Sequence, residues 1–264
     1  IWGNFERLGE GAAYLRTIRQ HKIPYRFGQT VIRASGNSQL ESITIARLDR
    51  FGKPIPGSEE QIQADTLCLG FGLIPNTELG QLAGCQQIYQ PQRGGWVPFR
   101  DEYLQTSQPG IYAVGEAAGI GGAGMALLEG QIAALAITHR FDQISALQRQ
   151  LRPMRRFAAM LNTLFAPPLA LNALADDETI LCRCQEVRAG DIRQAIHQSN
   201  LNLSSLKNST HTGQGQCQGR TCGPLLARLI ASETHNPIET AGQFRPRPPI
   251  KPIPLGALAQ EPQP

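Results

Sequence analysis

Four of the six cysteines fall into two close pairs: Cys182-Arg183-Cys184 and, after thirty-two residues, Cys217-Gln218-Gly219-Arg220-Thr221-Cys222. Four thiolates in two pairs are the donor set of a tetrahedral zinc ion or of a 2Fe-2S cluster. The surroundings favour the cluster. Gly213-Gln214-Gly215-Gln216 is a turn whose amides can fold inward toward anionic sulfur, and Cys222-Gly223-Pro224 opens a helix with proline at its first position. Leu225, Leu226, Leu229 and Ile230 follow at helical spacing, so Cys222 sits at a positive helix end, which favours its thiolate. Common zinc patterns use C-x2-C arms rather than C-x-C, and a pair of disulfides is the third reading of the same residues. Cys68 is expected in the core, and Cys85 is expected to be a lone thiol.

A second constellation lies upstream. The apolar run Ile111-Tyr112-Ala113-Val114 reads as a buried strand, and it runs into Gly115 and Glu116. A glycine at a strand end lets a ligand approach the backbone, and an acid beside it can accept hydrogen bonds from hydroxyl groups. Gly119-Ile120-Gly121-Gly122-Ala123 then starts a helix whose positive end favours an electron-rich group. No acid–base or nucleophile constellation accompanies these two sites, since the five histidines are dispersed and no C-x-x-C redox pair is present.

Positioning such residues requires an ordered scaffold, and 264 residues suffice for one large or two smaller cores. Glu6 to His21 has helical spacing and stops before Pro24. Tyr25–Ala34 and Leu40–Asp49 alternate as strands around a turn at Gly36 and Asn37. Asp65–Gly70 is apolar enough for a buried parallel strand. Trp96–Phe99 reads as a short strand and Ala123–Ile137 as a helix with a small-residue face. Arg140–Leu174 reads as a basic helical connector broken at Pro153 and at Pro167-Pro168. The last 28 residues hold eight of the nineteen prolines and are expected to be extended. The richest apolar segment, Ile111 to Ile137, is interrupted by Glu116, Glu129 and Gln131, so no membrane span is expected. The net charge of +4 is scattered, unlike the clustered footprint of a nucleic-acid binder. With Ile1 first and no leader pattern, the chain is expected to be a piece of a longer protein.

These residues carry a resemblance. Cys182-x-Cys184-x-x-Val187, Asp191-Ile192, Leu206-Lys207 and Thr210-x-x-Gly213-x-Gly215-x-Cys217-Gln218-Gly219-Arg220-x-Cys222-Gly223 resemble the bacterioferritin-associated-ferredoxin-type 2Fe-2S domain. The variety with the longer C-x4-C is the one fused to flavoprotein subunits of opine oxidase, hydroxyproline dehydrogenase and hydrogen cyanide synthase. The resemblance implies Cys182, Cys184, Cys217 and Cys222 as cluster ligands, and His211, where the family has Arg, as a surface residue.

Thr106-x-x-x-Gly110-Ile111-Tyr112-Ala113-Val114-Gly115-Glu116 resembles the last strand of the FAD domain in two-dinucleotide-binding flavoproteins. It implies Gly115, Glu116, Gly121, Gly122 and Ala123 as FAD-binding residues, with Glu116 where the wider superfamily has Asp. Asp65 to Thr77 is similar to the return from the pyridine-nucleotide-type domain. Neither G-x-G-x-x-G fingerprint occurs in the chain, so one to two hundred residues are expected to precede it and nicotinamide binding stays open.

The implied fold is α/β, with C-terminal portions of two Rossmann-like dinucleotide-binding domains plus a small helical 2Fe-2S domain. The implied segments are 1–75, the end of the NAD(P)-binding-like domain; 76–140, the return of the FAD-binding domain; 141–175, the connector; 176–236, the 2Fe-2S domain; and 237–264, the proline-rich tail. The implied function is FAD and 2Fe-2S electron transfer in a hetero-oligomeric amino-acid or amine dehydrogenase. Its implied partners are an electron acceptor and a substrate-oxidising flavoprotein subunit, in the cytoplasm and peripheral to the inner membrane through a partner. The tail, which resembles the end of sarcosine oxidase alpha subunits, is expected to pack on that partner. A nicotinamide-dependent reductase with a 2Fe-2S outlet and a zinc-stabilised interaction module are the alternatives.

Overall fold

The computed structural model describes residues 5–199 and 201–259, so the last five residues of the expected tail lie outside the described residues. The chain divides into two compact units, Ile1–Gly70 and Phe71–Pro264.

In the first unit, helix α1 (Phe5–Gln20) precedes an antiparallel sheet of β1 (Gln29–Ser35), β2 (Ser42–Arg47) and β3 (Glu60–Gln63), in that order. The β1–β2 turn needs Gly36, where a Cβ would lie 1.9 Å from the Gln39 carbonyl oxygen. Asp65–Gly70 is not the buried parallel strand expected from its composition. It pairs with no described strand, and Leu69 is 61% exposed. A strand apolar on both faces forms only where neighbouring strands take up its amides and carbonyls. Cys68 is consequently exposed rather than in the core, whereas Cys85 is buried and its thiol lies 3.3 Å from Thr106 Oγ1.

The second unit begins with the short helix α2 (Glu78–Leu82) and a hairpin of β4 (Gln87–Gln90) and β5 (Gly95–Pro98), whose register pairs Tyr89 with Trp96. Ile111–Val114 contributes only an isolated bridge, Gln105 to Tyr112, and is half-buried or exposed in place of the expected buried strand. Its backbone is engaged locally instead: Thr106 N donates to Ile111 O (2.8 Å) and Ala113 N to Leu104 O (3.1 Å).

Helix α3 (Ala123–Ile137) has the expected bounds. Its Met125, Ile132 and Ala136 pack with Leu104 and with Ile144 and Leu151 of helix α4 (Ile144–Leu164). Pro153 does not break α4 as its composition suggested. Ile144, Leu147, Leu151, Met154 and Ala158 pack on both sides of it, and that burial offsets the one backbone bond lost. The helix does stop ahead of Pro167-Pro168, which lead into a 3-10 turn, Leu169–Leu174. Phe141–Leu174 contains an 18-residue window of mean hydropathy 1.4 that is only 6% buried, enough by length and composition for a membrane span. Yet the window's helix is interrupted at the proline pair, and α4 carries four arginines.

The cysteine-bearing part holds strands β6 (Ile180–Cys182) and β7 (Val187–Arg188) and helices α5 (Ala189–His197), α6 (Leu203–Thr210) and α7 (Gly223–Thr234). Asn202 caps α6, accepting from Ser205 N at 2.9 Å, and His211 ends it in a left-handed conformation, exposed as expected. Ile192, Ile196, Leu203, Leu206, Leu226 and Ile230 form the shared core, together with Cys182, Cys222 and Phe244. The tail is extended over 242–254 but also forms a 3-10 turn, Ile238–Ala241, and one turn of helix, α8 (Leu255–Leu258). Helix becomes possible there because Leu255-Gly256-Ala257-Leu258 is free of proline.

Candidate functional site

Two sites are built on the second unit. The first is the glycine-rich turn from Gly115 to Gly122, held by four side chains. Glu116 Oε1 accepts hydrogen bonds from Gly121 N (3.3 Å) and Gly122 N (2.9 Å), the two residues that lead into α3. Glu116 thereby pins the turn that enters the helix, whose N-cap residue Gly122, at φ +84°, has no side chain to cap it. Arg93 donates to Ala118 O and accepts at its own carbonyl from Ile120 N (3.0 Å). Burial lowers the Arg93 pKa to about 10, helped by the charges of Arg100 and Arg155 against that of Glu129. Asn162 on α4 donates to both Ile120 O (3.0 Å) and Gln92 O (2.9 Å).

The fourth side chain is Glu129 on α3, which is fully buried. Its carboxylate receives Arg100 at 2.7 and 2.9 Å, Arg155 at 3.2 Å and the Gly115 N–H at 3.0 Å. Burial pushes its pKa up, but Arg100, the Gly115 amide and Arg155 outweigh that and hold it below the ordinary carboxylate value. Gly119 is tightly backed, since a Cβ there would meet Arg93 Cβ at 2.9 Å. The turn thus brings Gly115, Glu116, Gly121, Gly122 and Ala123 together. Arg93, Arg100, Glu129 and Asn162 were missed. The readable signal was Glu129 itself, a lone acid in an apolar helix, which demands a buried partner.

The second site gathers the four clustered cysteines, all of them free thiols, around the start of α7. Cys184 and Cys217 act on one another electrostatically, and so do Cys182 and Cys222. Burial pushes the Cys222 thiol up to about 12, with the negative charges of Cys182 and Cys217 adding to the effect. Cys217 is held below its ordinary value: burial opposes this, but the N–H groups of Thr221 and Gly219, with Cys184 and the Thr221 hydroxyl, prevail. The Cys217 amide likewise stabilises the Cys184 thiolate, although the neighbouring thiols leave Cys184 raised on balance. Gly215 lies against Cys184, where a Cβ would come within 2.3 Å of Cys184 Cβ. Four thiols among inward backbone amides are, as a donor set, suited to a metal–sulfur centre. Among the described residues no three His, Cys, Asp or Glu side chains stand close enough together to hold a metal ion.

Two family models match the chain. Residues 10–148 match the pyridine nucleotide-disulphide oxidoreductase model, and residues 178–261 match the sarcosine oxidase A3 domain. The chain is 33% identical over 260 residues to the hydrogen cyanide synthase subunit HcnB of Pseudomonas aeruginosa, covering 94% of this chain and 55% of that protein. It is 34% identical over 260 residues to the A-type subunit of opine oxidase from Rhizobium meliloti, with 95% and 56% covered. The chain therefore spans about half the length of the curated relatives it matches. The crystal structure of L-proline dehydrogenase from P. horikoshii shares the fold, with a TM-score of 0.69 at 24% identity over 94% of this chain and 48% of that one. An α/β chain whose Gly115–Gly122 turn and family match coincide in this way belongs to the pyridine nucleotide-disulphide oxidoreductases.

Proposed function

We propose that this chain carries FAD and a 2Fe-2S centre and passes electrons within a hetero-oligomeric amino-acid or amine dehydrogenase. The observation that carries the reading is the gathering of Cys182, Cys184, Cys217 and Cys222 in the same compact unit as the Gly115–Gly122 turn. The two relatives, one from hydrogen cyanide synthase and one from opine oxidase, support the substrate class and the presence of further subunits. Exposed Ile253, Leu255 and Leu258 support docking of the far tail on such a partner, and the complex would lie in the cytoplasm, peripheral to the inner membrane through that partner. Deleting residues 250–264 is accordingly expected to abolish recovery of the complex.

FAD and a 2Fe-2S centre together would supply the conversion of two-electron chemistry into single-electron steps. For this chain, the work is positional. Glu116, oriented by the Gly121 and Gly122 amides, would offer its carboxylate as an acceptor to the flavin, with Gly115 allowing close backbone approach and Ala123 starting the helix. Cys182, Cys184, Cys217 and Cys222 would hold the cluster, with the Thr221 and Gly219 amides offsetting its negative charge.

Two measurements test this reading. Anaerobically purified protein is expected to contain iron and acid-labile sulfide in equal amounts, with an EPR signal on reduction that is lost in Cys217→Ser. Zinc without sulfide overturns the cluster, and turnover of nicotinamide by the full-length protein would favour a reductase instead. Separately, Glu116→Ala is expected to cost about 1 kcal/mol of stability through the lost hydrogen bonds from Gly121 and Gly122. In denaturant titrations Glu116→Asp should remain similarly destabilised, because the shorter side chain does not reach both amides.

A further inference from the structure

The tail was expected to lie on another subunit, yet its first part turns back on the cysteine loop. Three glycines of that loop form a seat for one ring. A Cβ on Gly213 would lie 2.9 Å from Phe244 Cζ, one on Gly219 2.1 Å from Cδ2, and one on Gly223 3.1 Å from Cδ2. Phe244 is 9% exposed and belongs to the core that contains Cys182 and Cys222. Any side chain at these glycines would occupy the ring's place, so their bareness and the aromatic residue are complementary.

A polar tether continues the contact. Gln218, directly after Cys217, sits at φ +51°, an uncommon conformation for a residue other than glycine. Its amide oxygen accepts from Arg247 N (3.0 Å) and its Nε2 donates to Pro249 O (2.7 Å). On the other side of the ring, Gln81 Nε2 donates to Gln243 Oε1 (3.0 Å), and Lys207 Nζ stands 6.0 Å from the ring centroid. The segment 243–249 is thus fixed at both ends over the loop that supplies half of the cysteines. Cys182 and Cys222 are buried, Cys217 is partly buried and Cys184 is exposed.

We propose that Phe244 is a positioning residue for the cysteine centre, and that residues 243–249 form a cover closing the Cys217–Cys222 side and leaving Cys184 as its open edge. Its bearing on electron transfer rests on the function proposed above; the cover itself does not. The ring holds Gly213, Gly219 and Gly223 in one arrangement, and Gln218 pins the residue next to Cys217. Together they fix the spacing of Cys217 and Cys222 relative to the Cys182–Cys184 arm.

The test is the rate at which each thiol of the reduced full chain reacts with 5,5′-dithiobis(2-nitrobenzoate), followed by peptide mapping. In the wild type the exposed Cys68 and Cys184 should react first, with Cys182, Cys222 and the distant buried Cys85 protected. In Phe244→Ala, Cys217 and Cys222 should react at least about tenfold faster while Cys85 stays protected, since thiol reactivity follows access. Phe244→Tyr should restore the wild-type pattern, and Gln218→Ala should accelerate Cys217 chiefly. Unchanged Cys217 and Cys222 rates in both Phe244→Ala and Gln218→Ala overturn the cover. If Phe244→Ala exposes Cys85 as well, general unfolding is responsible and Gln218→Ala decides. Absence of iron and sulfide from the anaerobic protein would overturn the proposed cluster but leave these thiol rates, and so the cover, to stand or fall separately.

Discussion

Replacing Glu129 by Gln is expected to cost about 3–5 kcal/mol of folding stability, because it removes the charge that compensates a buried arginine. Arg100 is only 6% exposed, and Glu129 gives it two bonds while also engaging Arg155 and the Gly115 amide. Glutamine keeps the shape but offers one acceptor oxygen and a competing donor, so one guanidinium bond and either Gly115 or Arg155 go unanswered. The measurement is equilibrium denaturation of the full chain. A loss under about 1 kcal/mol would place the pair among those that contribute little, as exposed pairs do. The sign of the pH dependence follows from the lowered carboxyl pKa. The ionised Glu129 contributes its full stabilisation above the unfolded-state pKa, and that stabilisation is lost as pH falls through the lower folded value. Wild type should therefore lose stability on acidification below the ordinary carboxylate range, and Glu129→Gln should lose less of it. Because Gly115 hangs on the same carboxylate, retention of flavin should fall alongside stability.

Gly219→Ala should be the second large effect, a loss of about 2–4 kcal/mol. One part is the left-handed backbone, φ +81°, where a Cβ costs about 1–2 kcal/mol. The other is overpacking against the Phe244 ring, 2.1 Å from the added carbon, for which about 1–3 kcal/mol is usual. Gly28 provides the contrast. Its φ is +66° but nothing lies within 4 Å of an added Cβ, so Gly28→Ala should show the backbone part alone, about 1–2 kcal/mol. Equal losses at the two positions, measured by denaturant titration, would show that the ring yields and is not seated as described.

The parts of the fold that were legible in the sequence are those fixed by local signals. The periodicity of Ala123–Ile137, the proline after Cys222 and the glycine-rich turns located α3, α7 and both candidate sites. What was not legible depended on residues distant in the chain. Asp65–Gly70 and Ile111–Val114 have strand-like composition, but strands need neighbours, and composition does not report whether these are present. Pro153 is the complementary case: packing of Leu151 and Met154 on other elements overrides a local helix breaker. The pairing of Glu129 with Arg100 spans 29 residues, and the seating of Phe244 on Gly213 spans 31, so neither is visible in a local window. The cysteines could be grouped from their spacing alone, whereas the coupling of Cys184 with Cys217 and of Cys182 with Cys222 required the fold.

The segment between the two candidate sites bears on how charge would travel. Asn162 grips the glycine turn at Ile120, and a few residues later Pro167 and Pro168 accept from Arg228 of α7 at 2.8 and 2.9 Å, while Asn172 donates to the Arg228 carbonyl at 3.1 Å. A connector bonded to both sides is a strut, not a tether. Under the proposed function, electrons would therefore cross a gap of set width, and the rate would be governed by tunnelling distance and driving force, with no swinging arm whose travel time could limit it.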